Sequence, residues 1–230
     1  VVPREDGTRA AKMLLDNLGI AAKDARKLQE LPVEQIQAAY RGVYTGFRLE
    51  ERVVGLAPGT PVLDGIHIPQ HPFDPTAPPY SIDVPVMVGY NRTEELVYYR
   101  SRPIDGDLDE AELRARVAER LGETSVSVDD VLAAYKEDHP QASPWDRYML
   151  ICTDHPRGTY PQTLAVRREA SGAAPTYLYR FDWEIDEKLK SAHALEIPFV
   201  FNTIHQPFSL FDIPENEETL ALAKKMSHMW

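Results

Sequence analysis

A chain of 230 residues, 43% hydrophobic and 27% charged and without a low-complexity run, has the composition of a soluble globular protein of one domain or two. Its net charge of −11 and pI near 5.1 argue against nucleic acid or an anionic membrane surface as partner, because both select basic patches. The single cysteine, Cys152, excludes an internal disulfide, and no Cys/His group stands at metal-ligand spacing.

The first residues, "VVPREDGTRAAKMLL", lack the basic start and apolar core of a signal peptide, so localisation stays open. "DGTRAAKMLLDNLG" reads as a helix with Asp6 or Thr8 as cap, Leu14, Leu15 and Leu18 on one face, and Gly19 as its left-handed C-terminal residue. A second helix, "AKDARKLQELP", is expected to end at its proline. A third, "VEQIQAAYRGVY", carries Val33, Ile36 and Ala39 at helical spacing. From Gly46 to Tyr80 prolines crowd the chain, and the turn pair Asp64-Gly65 appears among them; short strands and ordered loop are expected there.

"DVPVMVGYNRTEELVYY" follows. Val84 to Val88 is an apolar run ended by Gly89, which predicts a parallel-type strand covered on both faces. From about residue 107 to 172 the pattern turns helical, in "DLDEAELRARVAERLG", "VDDVLAAYKEDHP", "SPWDRYMLICTDH" and "TYPQTLAVRREASG", separated by turns and, in the first, opened by acidic residues that suit a helix N-terminus. "PTYLYRFDW" then predicts a second strand, followed by the polar loop "EIDEKLKSA" and by His193. The chain stops at "AKKMSHMW", inside an amphipathic pattern supplied by Leu220, Leu222, Ala223 and Met226, and it opens without Met, so truncation at both ends is expected. No window approaches the ~20 apolar residues that a membrane span requires.

A histidine beside apolar residues is ordinarily a packed or capping group, and only a partner changes that reading. The order of elements supplies one. If the two strands are parallel neighbours joined through the helical block, the Glu-bearing loop after the first and the His-bearing loop after the second both leave from the carboxyl ends and open on one crevice. An acid after one strand and a histidine after the next is the back half of an α/β-hydrolase triad, whose chain order is nucleophile, acid, histidine.

The residues at both loops carry a specific resemblance. "VPVMVGYNRTEELVYY" is similar to the segment of type-B carboxylesterases in which a valine-rich strand, glycine, any residue and asparagine precede the catalytic Glu. "YLYRFDW" followed by "AHALEIPFVF" resembles that family's strand and catalytic-histidine loop, and "NLGI…LQELPVEQIQAA" and "LAKKMSHMW" extend the likeness over the chain. The resemblance implies a partial α/β-hydrolase fold: the C-terminal strands of a mostly parallel sheet with a large helical insertion at about 107–172, residues 1–230 being the C-terminal portion of a single domain. It implies Glu94 and His193 as two members of a Ser-Glu-His triad, a small-molecule carboxylic ester as substrate, no metal or organic cofactor, and a missing N-terminal half that carries the nucleophile and oxyanion loop.

No Gly-x-Ser-x-Gly occurs here; the serines at 81, 101, 125, 127, 143, 171, 191, 209 and 227 all lack the flanking glycines. Where the family reads Asp-Glu-Gly, this chain reads Thr93-Glu94-Glu95. In an extended segment Glu94 turned toward His193 places Glu95 on the opposite side, toward solvent or a surface partner. The alternative function is that of adhesion-type members of the family, which keep the fold without the serine. Among the remaining candidates, His67 and His71 read as surface or turn residues and His139 and His155 as helix-end residues. Trp145, Trp183, Phe199 and Phe201 read as core before pocket, and His205 lacks the motif around His193.

Overall fold

The structure, a computed structural model, describes residues 1–51, 60–99, 108–122, 124–208 and 210–230. Ser101 and Ser209, and the start of the helical block at 107, lie outside them, as do residues 52–59 of the proline-rich stretch. The chain forms two compact units, Val1–Ser81 and Ile82–Trp230.

In the first unit, α1 spans Arg4–Asn17 and α2 Val33–Glu51, with a 3-10 segment, Ala22–Glu30, between them. Asp6 and Thr8 are not caps. The helix starts a turn earlier, after Pro3, whose fixed φ suits a helix entry; Thr8 Oγ1 donates back to the Arg4 carbonyl at 2.8 Å, and Asp6 pairs with Arg9. Gly19 takes the left-handed geometry expected of it, with φ +66°, and the next amide, Ile20, donates to the Leu15 carbonyl at 2.9 Å. Val2 and Val43 are buried here with Met13, Leu14 and Val62 packed against them. Among the described residues from 60 to 80 the expected strands reduce to one isolated parallel bridge, Val2 to Val62. Prolines remove the amide donors that a longer ladder needs.

The second unit contains β1 (Val86–Asn91), α3 (Glu110–Leu121), α4 (Val128–Asp138), α5 (Pro144–Thr153), α6 (Thr159–Ala170), β2 (Thr176–Phe181), the short α7 (Ile197–Val200) and α8 (Glu217–Met229). The helical block between the strands is as the sequence pattern predicts. Three of its helix starts are capped in sequence: Asp109 and Glu112 form a reciprocal capping box on α3, and Ser127 and Ser143 accept from the third amide of α4 and α5. Seven of the ten residues of α5 are buried, as an apolar run such as Tyr148-Met149-Leu150-Ile151-Cys152 requires. Met149 of this helix shares the core with Leu113, Val117, Leu195, Phe199 and Ala223. Between α5 and α6 the chain kinks at Asp154–Gly158, where His155 leaves helical geometry (φ −113°, ψ 102°).

β1 and β2 are parallel neighbours in register from Val86 opposite Thr176 to Asn91 opposite Phe181. The first strand therefore starts two residues later than the Val84–Val88 run and continues through Gly89 rather than ending there. Gly89 is needed for close approach, since a Cβ on it would lie 2.4 Å from the Tyr179 carbonyl oxygen and from its ring. Nor is the sheet covered on both faces: β1 is mostly half-buried, and Tyr177 and Leu178 of β2 are 59% and 45% exposed. Fully buried Arg168 of α6 fastens the entry to both strands, donating to Thr176 Oγ1 at 2.9 Å and to the Val84 carbonyl. No helix among the described residues is long and apolar enough to cross a membrane.

Replacing Gly89 with alanine pushes a methyl group into backbone that cannot step aside. We expect Gly89→Ala to lower stability by about 1–3 kcal/mol, read as a fall in the urea midpoint at unchanged m-value; an unchanged midpoint would refute the close-approach account.

Candidate active site

Because the strands are parallel and in register, their carboxyl ends, Asn91 and Phe181, stand side by side. The chain beyond each end must satisfy its own polar groups, and it does so largely by bonding to the other. Arg92 N–H donates to the Phe181 carbonyl at 3.0 Å and Thr93 N–H to the Ser191 carbonyl at 3.1 Å. Ser191 N–H returns a bond to Thr93 Oγ1 at 3.0 Å, and His193 N–H reaches the Glu94 carbonyl at 3.3 Å. The loop "EIDEKLKSA" is drawn tight for this purpose: Asp186 Oδ1 accepts from the amides of Lys188 and Leu189 at 2.8 and 2.6 Å. Two non-glycine residues in left-handed geometry, Lys190 (φ 47°) and Ala194 (φ 71°), flank the segment that presents His193. Side-chain ties between Arg92 and Glu184 at 3.6 Å and between Lys190 and Asp146 brace the arrangement.

Within this frame Glu94 opens a 3-10 turn, Glu94–Tyr99, directly after β1. Its carboxylate is divided between two tasks. Oε1 accepts the Asn91 backbone N–H at 2.7 Å, and Oε2 is hydrogen-bonded to Nδ1 of His193. The side chain of Glu94 is 8% exposed, whereas that of His193 is 45% exposed. This bond holds the histidine proton more firmly than usual; burial and nearby Arg157 oppose it, Glu196 assists it, and the net shift is upward. With Nδ1 occupied, the neutral ring carries its proton there and leaves Nε2 to accept one from a hydroxyl.

Glu95 departs from expectation. The turn is helical and not extended, so alternation does not set its direction. Its carboxylate enters an ion pair and not open solvent: Arg157 Nε lies 2.9 Å from Oε1, Arg120 is 4.0 Å away, and the carboxylate side chain is 14% exposed.

Asn91 was not singled out by the sequence reading, although it stands in the glycine-x-asparagine signature. Fully buried, its Nδ2 donates to the Ala192 carbonyl at 2.7 Å and to Glu196 Oε2 at 2.6 Å, joining both loops through one side chain. The other signal was Glu196 itself, the acidic residue of "HALEIPF". Tyr98, four residues after the acid, lies beside the imidazole with ring centroids 6.3 Å apart and planes 22° from parallel.

The remaining candidates fall away from this point. Ser191 is buried and donates to the Phe181 carbonyl at 2.5 Å, so its hydroxyl belongs to the loop. His67 bonds Asp64 on the surface, His139 ends α4, and His155 marks the kink. Trp145 and Phe199 are core, Trp183 packs on Phe199 with centroids 5.0 Å apart, and Phe201 is 71% exposed and not core. Among the described residues no group of three His, Cys, Asp or Glu side chains is disposed to hold a metal ion.

Known proteins share this arrangement of strands and helices. The sequence matches the carboxylesterase family over residues 3–230, and the chain belongs to that family. Two structures of carboxylesterase EST55 of Geobacillus stearothermophilus are similar to it at 26% and 29% identity, with TM-scores of 0.67 and 0.69; each alignment takes in 100% of this chain and 44% or 45% of the other. A PNB esterase shares the fold at 22% identity and a TM-score of 0.63, over 97% of this chain and 44% of its own. So does a Clostridium hathewayi esterase, described as able to hydrolyse aliphatic aromatic polyesters, at 22% identity and a TM-score of 0.59, over 95% of this chain and 41% of its own. The chain thus spans less than half the length of these relatives, and its fold is a partial α/β-hydrolase fold.

The Glu94 bond has a pH signature. A histidine whose folded pKa is raised adds stability in full below its unfolded value of about 6.5, and that contribution is lost as pH rises through the folded value. In a histidine NMR titration we expect His193 to titrate above about 6.5 and Glu94→Gln to bring its midpoint down to that value or below, because burial and Arg157 then act unopposed by the carboxylate. A midpoint that ignores the substitution would mean that the pair does not form.

Proposed function

We propose that the chain is the acid- and histidine-bearing part of a serine-type carboxylic ester hydrolase, with Glu94 the orienting acid and His193 the proton carrier. The nucleophilic serine and the oxyanion donors are assigned to the N-terminal half of the same α/β-hydrolase domain, outside these 230 residues. Residues of about 107–172 are its helical insertion. What carries the reading is the bond from Glu94 to His193 Nδ1, formed where two adjacent parallel strands end, in a chain of the carboxylesterase family. The absence of Gly-x-Ser-x-Gly and the less-than-half span of the relatives support the assignment of the nucleophile elsewhere.

The roles follow from proton bookkeeping. Nε2 of His193 takes the proton of the serine hydroxyl as the oxygen attacks the ester carbonyl, and the imidazolium formed is stabilised by Glu94 through Nδ1. The same proton is then delivered to the departing alkoxide, which leaves as the alcohol and an acyl-serine. Water repeats the sequence in reverse and releases the acid. An adhesion or binding protein of the same fold needs neither a carboxylate on Nδ1 nor an accessible Nε2, so the intact pair favours the enzyme.

The test belongs in the full encoded protein, with p-nitrophenyl acetate as substrate. Loss of the orienting carboxylate costs about 10⁴-fold in a serine protease triad, so Glu94→Gln and His193→Ala should each lower kcat by orders of magnitude with folding intact. Glu95→Gln should cost less than about tenfold, or ~1.4 kcal/mol. The 230-residue chain by itself should show only the weak background of an imidazole and no stoichiometric organophosphate labelling. Wild-type kcat in His193→Ala, or turnover with serine labelling in the isolated chain, would overturn the reading.

A further inference from the structure

Glu94 and Glu95 are consecutive carboxylates, the first bonded to the His193 imidazole and the second to Arg157, and both are largely withdrawn from water, with side chains 8% and 14% exposed. A carboxylate is not buried without a partner. Glu94 has the Asn91 amide and the histidine; Glu95, where the resembled family has glycine, has Arg157. The arginine comes from the kink between α5 and α6, far away in sequence, and the kink is itself held: Arg120 of α3 donates to the carbonyls of Cys152 and His155 at 3.1 and 2.9 Å. Arg157 makes one further contact that a mere ion pair does not need. Its Nη2 donates to Tyr98 Oη at 2.9 Å, with the guanidinium carbon 5.5 Å from the Tyr98 ring centre, and Tyr98 is the ring stacked beside His193.

We propose that Arg157, anchored by Glu95, is a positioning residue for His193: it fixes Tyr98 against the imidazole and supplies the counter-charge that two adjacent carboxylates require. The inference rests on the esterase reading of Glu94 and His193. Its chemical reason is the one that governs any general base, since an imidazole that holds its proton too firmly is already protonated at working pH and cannot take another. The groups that face His193 are Glu94 and Tyr98 from the turn after β1, Arg157 from the kink, and Glu196 from its own loop, with Glu95 and Arg120 behind Arg157. The two glutamates around the ring strengthen its hold on the proton and Arg157 is the cation that weakens it. Glu95 in turn, by its hydrogen bond, holds Arg157 firmly charged despite the burial that works against that charge.

The roles predict opposite signs, which a purely structural ion pair would not give. In the full encoded protein, the acid limb of the kcat/KM profile for p-nitrophenyl acetate should move to higher pH by about half a pH unit in Arg157→Gln, the effect of one charge removed at short range in a watery site. It should move to lower pH in Glu95→Gln, where the cation is left unopposed. Arg157→Lys, which keeps the charge, and the double variant Glu95→Gln/Arg157→Gln, which removes both, should return the limb close to that of the parent. Should Arg157→Gln fail to fold, Glu95→Gln, which leaves no buried carboxylate without its cation, and the double variant, which removes Glu95 together with Arg157, carry the same test. A limb that stays put in the folded variants, or moves the same way in both single variants, overturns the positioning role. Failure of the esterase reading is read separately, as wild-type activity in His193→Asn.

Discussion

Asn91 stands opposite Phe181 on the last rung of a two-stranded parallel ladder, and the rest of the site depends on how the chain is tied beyond that rung. Parallel strands deliver both of their following loops to the same edge, where the backbone groups of each loop would be left without partners. The loops satisfy one another: Thr93 with Ser191 in both directions, His193 with Glu94, and the buried Asn91 amide across to Ala192 and Glu196. Unpaired buried polar groups cost on the order of 1–3 kcal/mol each, so the set behaves as a unit. Its geometric outcome is that the Glu94 carboxylate has little freedom. One oxygen is committed to the amide three residues before it and the other meets the imidazole.

Charge at this point does not follow the protein as a whole. A chain with net charge −11 sets Glu94 and Glu196 around one histidine with Glu95 close behind, and the local balance is restored by cations drawn from other elements: Arg157 from the kink and Arg120 from α3. The helical block is therefore more than a connection between strands. It carries the arginines to the strand ends, and its fully buried Arg168 fastens the opposite ends of the same strands. Arg157 stands in the kink at His155, between α5 and the helix that carries Arg168.

Much of this was legible along the chain, because it depends on near neighbours. The helices α3 to α6 are delimited by capping residues and turns that are adjacent in sequence, such as Asp109 with Glu112, Ser143 before Pro144, and Gly172 after α6. The left-handed Gly19, the turn at Asp64-Gly65 and the existence of two strands are local in the same sense. So are the motifs that single out Glu94 and His193, and the chain order of acid before histidine. Strand limits were less legible. The valine run ends at Val88, yet β1 continues to Asn91, because pairing with β2 and not side-chain type decides how far a ladder runs, and Gly89 is there to admit Tyr179.

Only the tertiary structure decided what the side chains meet. That Glu94 faces His193 while Glu95 meets Arg157 follows from the 3-10 turn after β1 and from an arginine 62 positions further along, neither of which local spacing encodes. That Asn91 is a bridge and Ser191 is spent on a backbone carbonyl follows from two loops closing on each other across about a hundred residues. Residue type and short-range periodicity determine which groups can do chemistry and where elements begin. Which of those groups are brought within hydrogen-bonding distance is set by strand register and the need to satisfy buried polar atoms, and these exist only once the chain is folded.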